Sequence, residues 1–197
     1  MKKNKIEWKK VKEANFNHEI NIEGKMRNVK SKKSIKPKSY TYRVTIKGET
    51  VRLGSVNELR WNYFKGEITS NLYFRGWKKI NAMYSDAKPY YFVNEHGDVY
   101  NAKLDRFLQT REKKDGYLTV HIKPKEVLHH RLVGLFIPID KKYNGLTYQD
   151  LTIDHINSIR NDNRKENLRW MTLEENISIT HIEGRKYNEN RIYKIAK

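Results

Sequence analysis

A short pattern near the start of the chain returns after about 70 residues, and this limits the fold to small repeated modules. Trp8-Lys9-Lys10-Val11 recurs as Trp77-Lys78-Lys79-Ile80. Gly24-Lys25-Met26-Arg27-Asn28 is matched by Gly97-Asp98-Val99-Tyr100-Asn101, and the run from Tyr42 to Lys47 by the run from Tyr117 to Lys123. Glu58-Leu59 and Tyr63-Phe64 echo Arg131-Leu132 and Leu135-Phe136. A unit of this length is a small domain, too long for a solenoid turn. Each copy reads mostly as short strands. Tyr90 to Val93, the turn Asn94-Glu95-His96-Gly97 and Asp98 to Tyr100 form a strand, a turn and a strand. Tyr117 to Lys123 alternates as a strand does. From Leu128 to Phe136 the apolar positions 128, 132, 135 and 136 follow helical spacing, and Pro138 stops that helix. The first copy is expected to close near Gly66, with residues 67–76 as a linker, residues 77–145 as the second module, residues 146–180 as a separate motif and residues 181–197 as a basic tail.

Charge decides the class of partner. The chain carries 41 Lys and Arg against 23 Asp and Glu, a net charge of +18 and a pI near 9.8. Phosphate backbones attract clustered Lys and Arg, and released counterions drive that binding. An anionic membrane surface attracts the same charge. No apolar run of the roughly 18 residues needed to span a bilayer occurs, and no apolar signal region follows the basic start. A soluble, cytoplasmic protein is therefore expected. The first forty residues hold thirteen Lys and Arg against four Asp and Glu, half of the total excess. Within them Lys30, Lys32, Lys33, Lys36 and Lys38 read as a basic loop around Pro37. That loop suits phosphate contact and a plainly solvated surface equally well. Cysteine is absent, so disulfides and thiolate zinc sites are excluded, and any metal must take oxygen and nitrogen ligands. Aromatic residues make up 12% of the chain and suit both core filling and base stacking.

The chemistry gathers between Asp154 and Asn176. Leu151-Thr152-Ile153 is strand-like, with Asp154 and His155 at its end. Asn157-Ser158 and Asn161-Asp162-Asn163 make a polar loop of turn formers. Asn167-Leu168-Arg169-Trp170-Met171 reads as the returning strand, with Trp170 in the core. Thr172 to Glu175 has the spacing of a capping box, which puts Asn176 in the first turn of a helix. Strand, loop, strand and helix thus bring Asp154, His155 and Asn176 together. A carboxylate, an imidazole and amides so placed can hold one hard divalent cation and activate one water beside a phosphate. Glu174 and Glu175 suit the helix N-terminus and are not read as catalytic acids.

These residues resemble the HNH endonucleases of the ββα-metal fold, above all the phage homing and intron-encoded branch. The resemblance rests on His130-Arg131-Leu132-Val133, Ile153-Asp154-His155, Asn161-Asp162-Asn163, Asn167-Leu168-Arg169-Trp170 and Asn176, in that order. It covers about Trp77 to Asn176. One departure is Asn157-Ser158, where the family often has Asp-Gly. The resemblance implies an α+β fold, with a duplicated small strand-rich module followed by a ββα-metal (HNH, His-Me finger) nuclease motif. It implies a metal-dependent DNA endonuclease of homing type that hydrolyses phosphodiester bonds by nicking or double-strand cutting. Asp154 and Asn176 would bind Mg²⁺ or Mn²⁺, His155 would act as general base, and Asn167 would brace the loop and orient His155. Arg131, Arg160 and Arg164 are expected to contact DNA; His130 is expected either to pack in the helix or to contact phosphate. A monomer is expected, in the host cytoplasm if the chain is phage-encoded. Two other readings stay open: a DNA-binding regulator that keeps the fold without cleavage, and a non-specific HNH nuclease of DNA degradation or packaging.

Overall fold

The computed structural model describes residues 6–179. The expected basic tail at 181–197 lies outside the described residues. The chain divides into two compact units, Met1–Trp77 with Tyr100–Phe107, and Lys78–Val99 with Leu108–Lys197.

In the first unit, Trp8–Lys10, His18–Asn21, Met26–Asn28 and Ser34–Ile35 form an antiparallel sheet in chain order. The basic stretch from Lys30 to Lys38 is thus partly a strand, because Ile35 pairs with Met26. A hairpin of Thr41–Ile46 and Glu49–Ser55 follows, and it runs directly into the helix Val56–Phe74. Ser55 starts that helix as a reciprocal cap. Its hydroxyl accepts from the Glu58 backbone N–H at 3.2 Å, and its own N–H donates to the Glu58 carboxylate at 3.1 Å. Val11, Ile20, Met26, Leu59 and Phe64 of this unit are each buried.

Residues 67–76, expected as a linker, lie mostly inside that helix. Gly66 reads as a terminator, yet a methyl group there would meet nothing within 4 Å, so the position tolerates a helix. Ile68, one turn after the buried Phe64, is buried as well and carries the helix onward. The backbone departs from helical angles at Phe64. This is the residue that corresponds to Phe136, where the second copy's helix ends.

The second unit repeats the order of elements. Lys78–Lys79 and a 3-10 turn at Ile80–Ala82 correspond to Trp8–Lys10 and Lys12–Ala14. Tyr91–Val93 pairs antiparallel with Lys78–Lys79. Thr110–Glu112, Leu118–Ile122 and Lys125–Leu128 form a three-stranded antiparallel sheet. The last of these strands leads into the helix His129–Val133, which tightens to 3-10 at Gly134–Phe136 ahead of Pro138. Next comes an antiparallel hairpin, Thr152–His155 against Leu168–Met171, with Ile153 opposite Trp170 and Asp154 opposite Arg169. A helix follows over residues 173–179.

A division at 145/146 does not appear in the packing. Ile80, Val99, Val120 and Leu132 from the module share one buried cluster with Ile153, Leu168, Trp170 and Met171 from the hairpin. Gly134 lets the two approach. A methyl group there would lie 2.4 Å from Ile153 Cδ1 and 2.6 Å from Trp170 Cζ2. The indole N–H of Trp170 donates to the carbonyls of Gly134 and Ile137, both at 3.2 Å, which fastens the hairpin to the end of the module's helix. No helix among the described residues is long and apolar enough to cross a membrane.

Candidate active site

Alternation along the hairpin strand sorts its polar residues. Ile153 and His155 are buried, while Asp154 between them is half-buried on the other face. Asp154 therefore faces its cross-strand partner, and Arg169 grips it with two donors, Nε at 2.9 Å and Nη2 at 2.8 Å, both to Oδ2. At the strand's end Asp154, His155 and Asn176 border one cleft of about 140 Å³, together with Tyr117, Ile153, Ser158 and Arg160. Asn176 reaches it because the expected capping box forms. The Glu175 N–H donates to Thr172 Oγ1 at 3.2 Å, and the Thr172 N–H donates to Glu175 Oε2 at 3.0 Å. Glu175 also accepts from Tyr143 and from Lys142, and these partners hold its carboxyl down at about 2. It anchors the helix and does no acid–base work.

His155 is 94% buried, within a cage of rings. His130 meets it edge-on at 5.0 Å between centroids, and Tyr117 lies 6.0 Å away. His155 Nε2 is 2.8 Å from Asn163 Oδ1. The Asn163 amide nitrogen is in turn 2.8 Å from His129 Nδ1, and His129 Nε2 is 2.7 Å from the Gly97 carbonyl. Burial lowers the pKa of His129. Burial, followed by the nearby His155, pushes His130 down to about 3, so its imidazole is neutral.

Asn167 ties the loop together. Its Oδ1 accepts from the Asn157 N–H at 3.0 Å, and its amide donates to Asn157 Oδ1 at 2.9 Å and to the Asp162 carbonyl at 2.7 Å. It is not, however, the residue against His155. Asn163 takes that place, because the loop folds back at Asn161–Asn163 and turns the Asn163 side chain inward, where it is buried. The spacing from His155 to Asn163 was visible in the sequence, but the backbone path that selects Asn163 over Asn167 was not.

The expected DNA contacts divide by environment. His130 is 4% exposed and belongs to the cage, not to a phosphate-binding surface. Arg131 donates from Nη1 to the Leu151 carbonyl at 3.1 Å and from Nη2 to the Tyr148 carbonyl, with its guanidinium over Trp170, so it serves the fold. Arg164 is tied to Asp162 at 2.7 Å and pulls that carboxyl well below its usual range. Arg160 stands at the lip of the cleft over Tyr117, braced by the Asp115 carbonyl at 2.8 Å. Lys30, Lys32, Lys33, Lys36 and Lys38 are exposed in the first unit; Lys32 pairs with Glu19 at 2.9 Å.

The donor set suits a hard cation. Asp154 and Asn176, whose side chains carry carboxylate and amide oxygens, line the same small polar cleft.

Residues 139–178 match the family model described as HNH endonuclease. An uncharacterized HNH endonuclease of Acanthamoeba polyphaga mimivirus is 31% identical over 118 residues, spanning 57% of this chain and 26% of that protein. The DNA endonuclease I-HmuI of Bacillus phage SP01 is 30% identical over 125 residues, spanning 61% of this chain and 66% of that one. A solved structure described as DNA binding and cleavage by the HNH homing endonuclease I-HmuI aligns with 28% identity and a TM-score of 0.44, covering 61% of this chain and 67% of that chain. The chain thus spans about a quarter of the mimivirus relative and about two thirds of the phage one.

Proposed function

We propose that this chain, whose residues 139–178 belong to the HNH endonuclease family, is a metal-dependent DNA endonuclease of homing type that hydrolyses one phosphodiester bond per binding event. The meeting of Asp154, His155 and Asn176 at one cleft carries the reading. Asp154 and Asn176 are the residues suited to hold Mg²⁺ or Mn²⁺. Such a cation supplies Lewis-acid stabilisation of charge on the departing 3′ oxygen. His155 accepts a proton from the attacking water as its oxygen bonds to phosphorus and the bond to the 3′ oxygen breaks. Arg160 is placed to hold a neighbouring phosphate at the lip. The exposed lysines between Lys30 and Lys38 supply sequence-independent affinity for the DNA backbone. One such site in a monomer makes a nick. A double-strand break then needs a second site.

Supercoiled plasmid tests this directly. With Mg²⁺ the protein is expected to convert it to nicked circles, and EDTA should stop the reaction. His155→Ala should lower the rate by about a hundredfold or more while DNA binding persists, since general-base catalysis is worth roughly 10²–10⁴. Binding without any cleavage by the unaltered chain would instead make it a DNA-binding regulator. Equal nicking of unrelated sequences would make it a non-specific nuclease.

A further inference from the structure

Four groups run in line from the Gly97 carbonyl to His155, and their polarity can be read from one end. A carbonyl oxygen only accepts, so the His129 Nε2 at 2.7 Å from it must carry the proton. His129 is 93% buried, and burial disfavours its charged form, so its Nδ1 holds a lone pair. The Asn163 group 2.8 Å from that lone pair must therefore be the amide N–H₂. This turns Oδ1 toward His155, where it accepts from Nε2 at 2.8 Å. Each step leaves one arrangement, and the last puts a proton on His155 Nε2, so that in the neutral ring the lone pair sits on Nδ1. A general base needs a lone pair in a fixed place.

The first unit shows the same scaffold without this device. Gly24 occupies the matching turn with φ +79°, as Gly97 does with φ +87°. The first residue of the following helix is Val56 there and His129 here. A methyl group on Gly24 would lie 2.5 Å from Val56, and one on Gly97 2.6 Å from the His129 ring. In the first unit the Tyr42 hydroxyl satisfies the glycine carbonyl at 2.9 Å. In the second, the residue at the helix start does so and passes the hydrogen-bond direction onward.

We propose that His129 is a positioning residue which, through Asn163, transmits the fixed polarity of the Gly97 carbonyl to His155 and keeps the His155 proton on Nε2. The catalytic consequence rests on His155 being the general base; the tautomer itself does not. Nitrogen NMR of the full chain labelled at its 7 histidines reads the tautomer directly in metal-free protein above neutral pH, with His155 assigned by its loss in His155→Gln. The unaltered chain should show His155 protonated at Nε2. His129→Phe keeps the ring and removes both nitrogens; it should mix the two tautomers and lower kcat about tenfold, part of the 10²–10⁴ that a general base contributes, with KM unchanged. His129→Gln can again donate to Gly97 and accept from Asn163, and should recover both readouts. If His129→Phe does not fold, Asn163→Leu must produce the same tautomer mixing. Protonation of His155 at Nδ1 in the unaltered chain overturns the proposal without any variant, and so does a folded His129→Phe or Asn163→Leu with the original tautomer. Absence of cleavage with the Nε2 tautomer in place would defeat the nuclease reading and leave the relay standing.

Discussion

Arg169 holds Asp154 from the opposite strand, and both of its donors converge on the single oxygen Oδ2. The pair faces a half-exposed surface, so its direct worth to stability is below about 1 kcal/mol. Its value lies in aiming a carboxylate that is read as a metal ligand. Hydrogen-bonded supports of metal ligands typically matter by 10–100-fold. Arg169→Met is therefore expected to raise the Mg²⁺ concentration for half-maximal nicking about tenfold. A metal titration that coincides with the unaltered protein's would remove Arg169 from the site.

Gly97 is needed for two separate reasons, and these can be measured apart. Its φ is +87°, and a methyl group would lie 2.6 and 2.7 Å from His129 Cε1 and Nε2. Gly145 has φ +90° with nothing within 4 Å. Gly145→Ala should cost only the backbone strain, about 1–2 kcal/mol. Gly97→Ala adds an overpacking cost of about 1–3 kcal/mol and displaces His129. Urea unfolding of the two variants should differ by that second amount. Equal losses would mean that the imidazole yields freely.

The histidine cage makes stability depend on pH. His130 has a folded value of about 3 against an ordinary value of 6.5. The unfolded chain therefore binds the extra proton between those values. Stability is complete above about 6.5 and falls as pH drops through the window, by on the order of 1 kcal/mol per pH unit. His129, also lowered by burial, acts in the same direction. Urea midpoints at pH 7 and pH 4.5 should separate widely for the unaltered chain and less for His130→Phe. Identical separations would exclude His130 as a source.

Salt dependence reports the grip of the first unit. Lys33, Lys36 and Lys38 are exposed, with no ion pair among the described residues. If each meets one phosphate, replacing all three by Gln should reduce the slope of log affinity against log salt by about 2.7, at about 0.9 per contact. Binding measured from about 50 to 200 mM salt gives the slope. An unchanged value would return these lysines to the role of solvated surface.

The readable parts of the chain were those governed by local rules. The hairpin around Asp154-His155 followed from alternation, the Thr172–Glu175 cap from its spacing, and the short helix before Pro138 from its periodicity and its stop. What was misread depended on tertiary packing. Arg131 looks like a DNA contact until the Leu151 and Tyr148 carbonyls arrive beside it. Asn167 looks like the partner of His155 until the loop turns Asn163 inward. Residues 67–74 look like a linker until burial of Ile68 continues the helix. In each case the deciding fact is a side chain's place in the folded packing, which no local pattern states.

The two proposed cation donors are mounted on separate fixtures. Asp154 is secured across the hairpin by Arg169, while Asn176 follows Glu175, which is moored to Tyr143, Lys142 and Thr172. An ion seated on both would act as a strut between hairpin and helix, and it should stiffen as well as catalyse. Loading the site should then raise the melting temperature, with the added stability growing as the logarithm of free ion above Kd, to about 2.7 kcal/mol at a hundred times Kd. Chelation should slacken the helix first, where hydrogen exchange can watch it open.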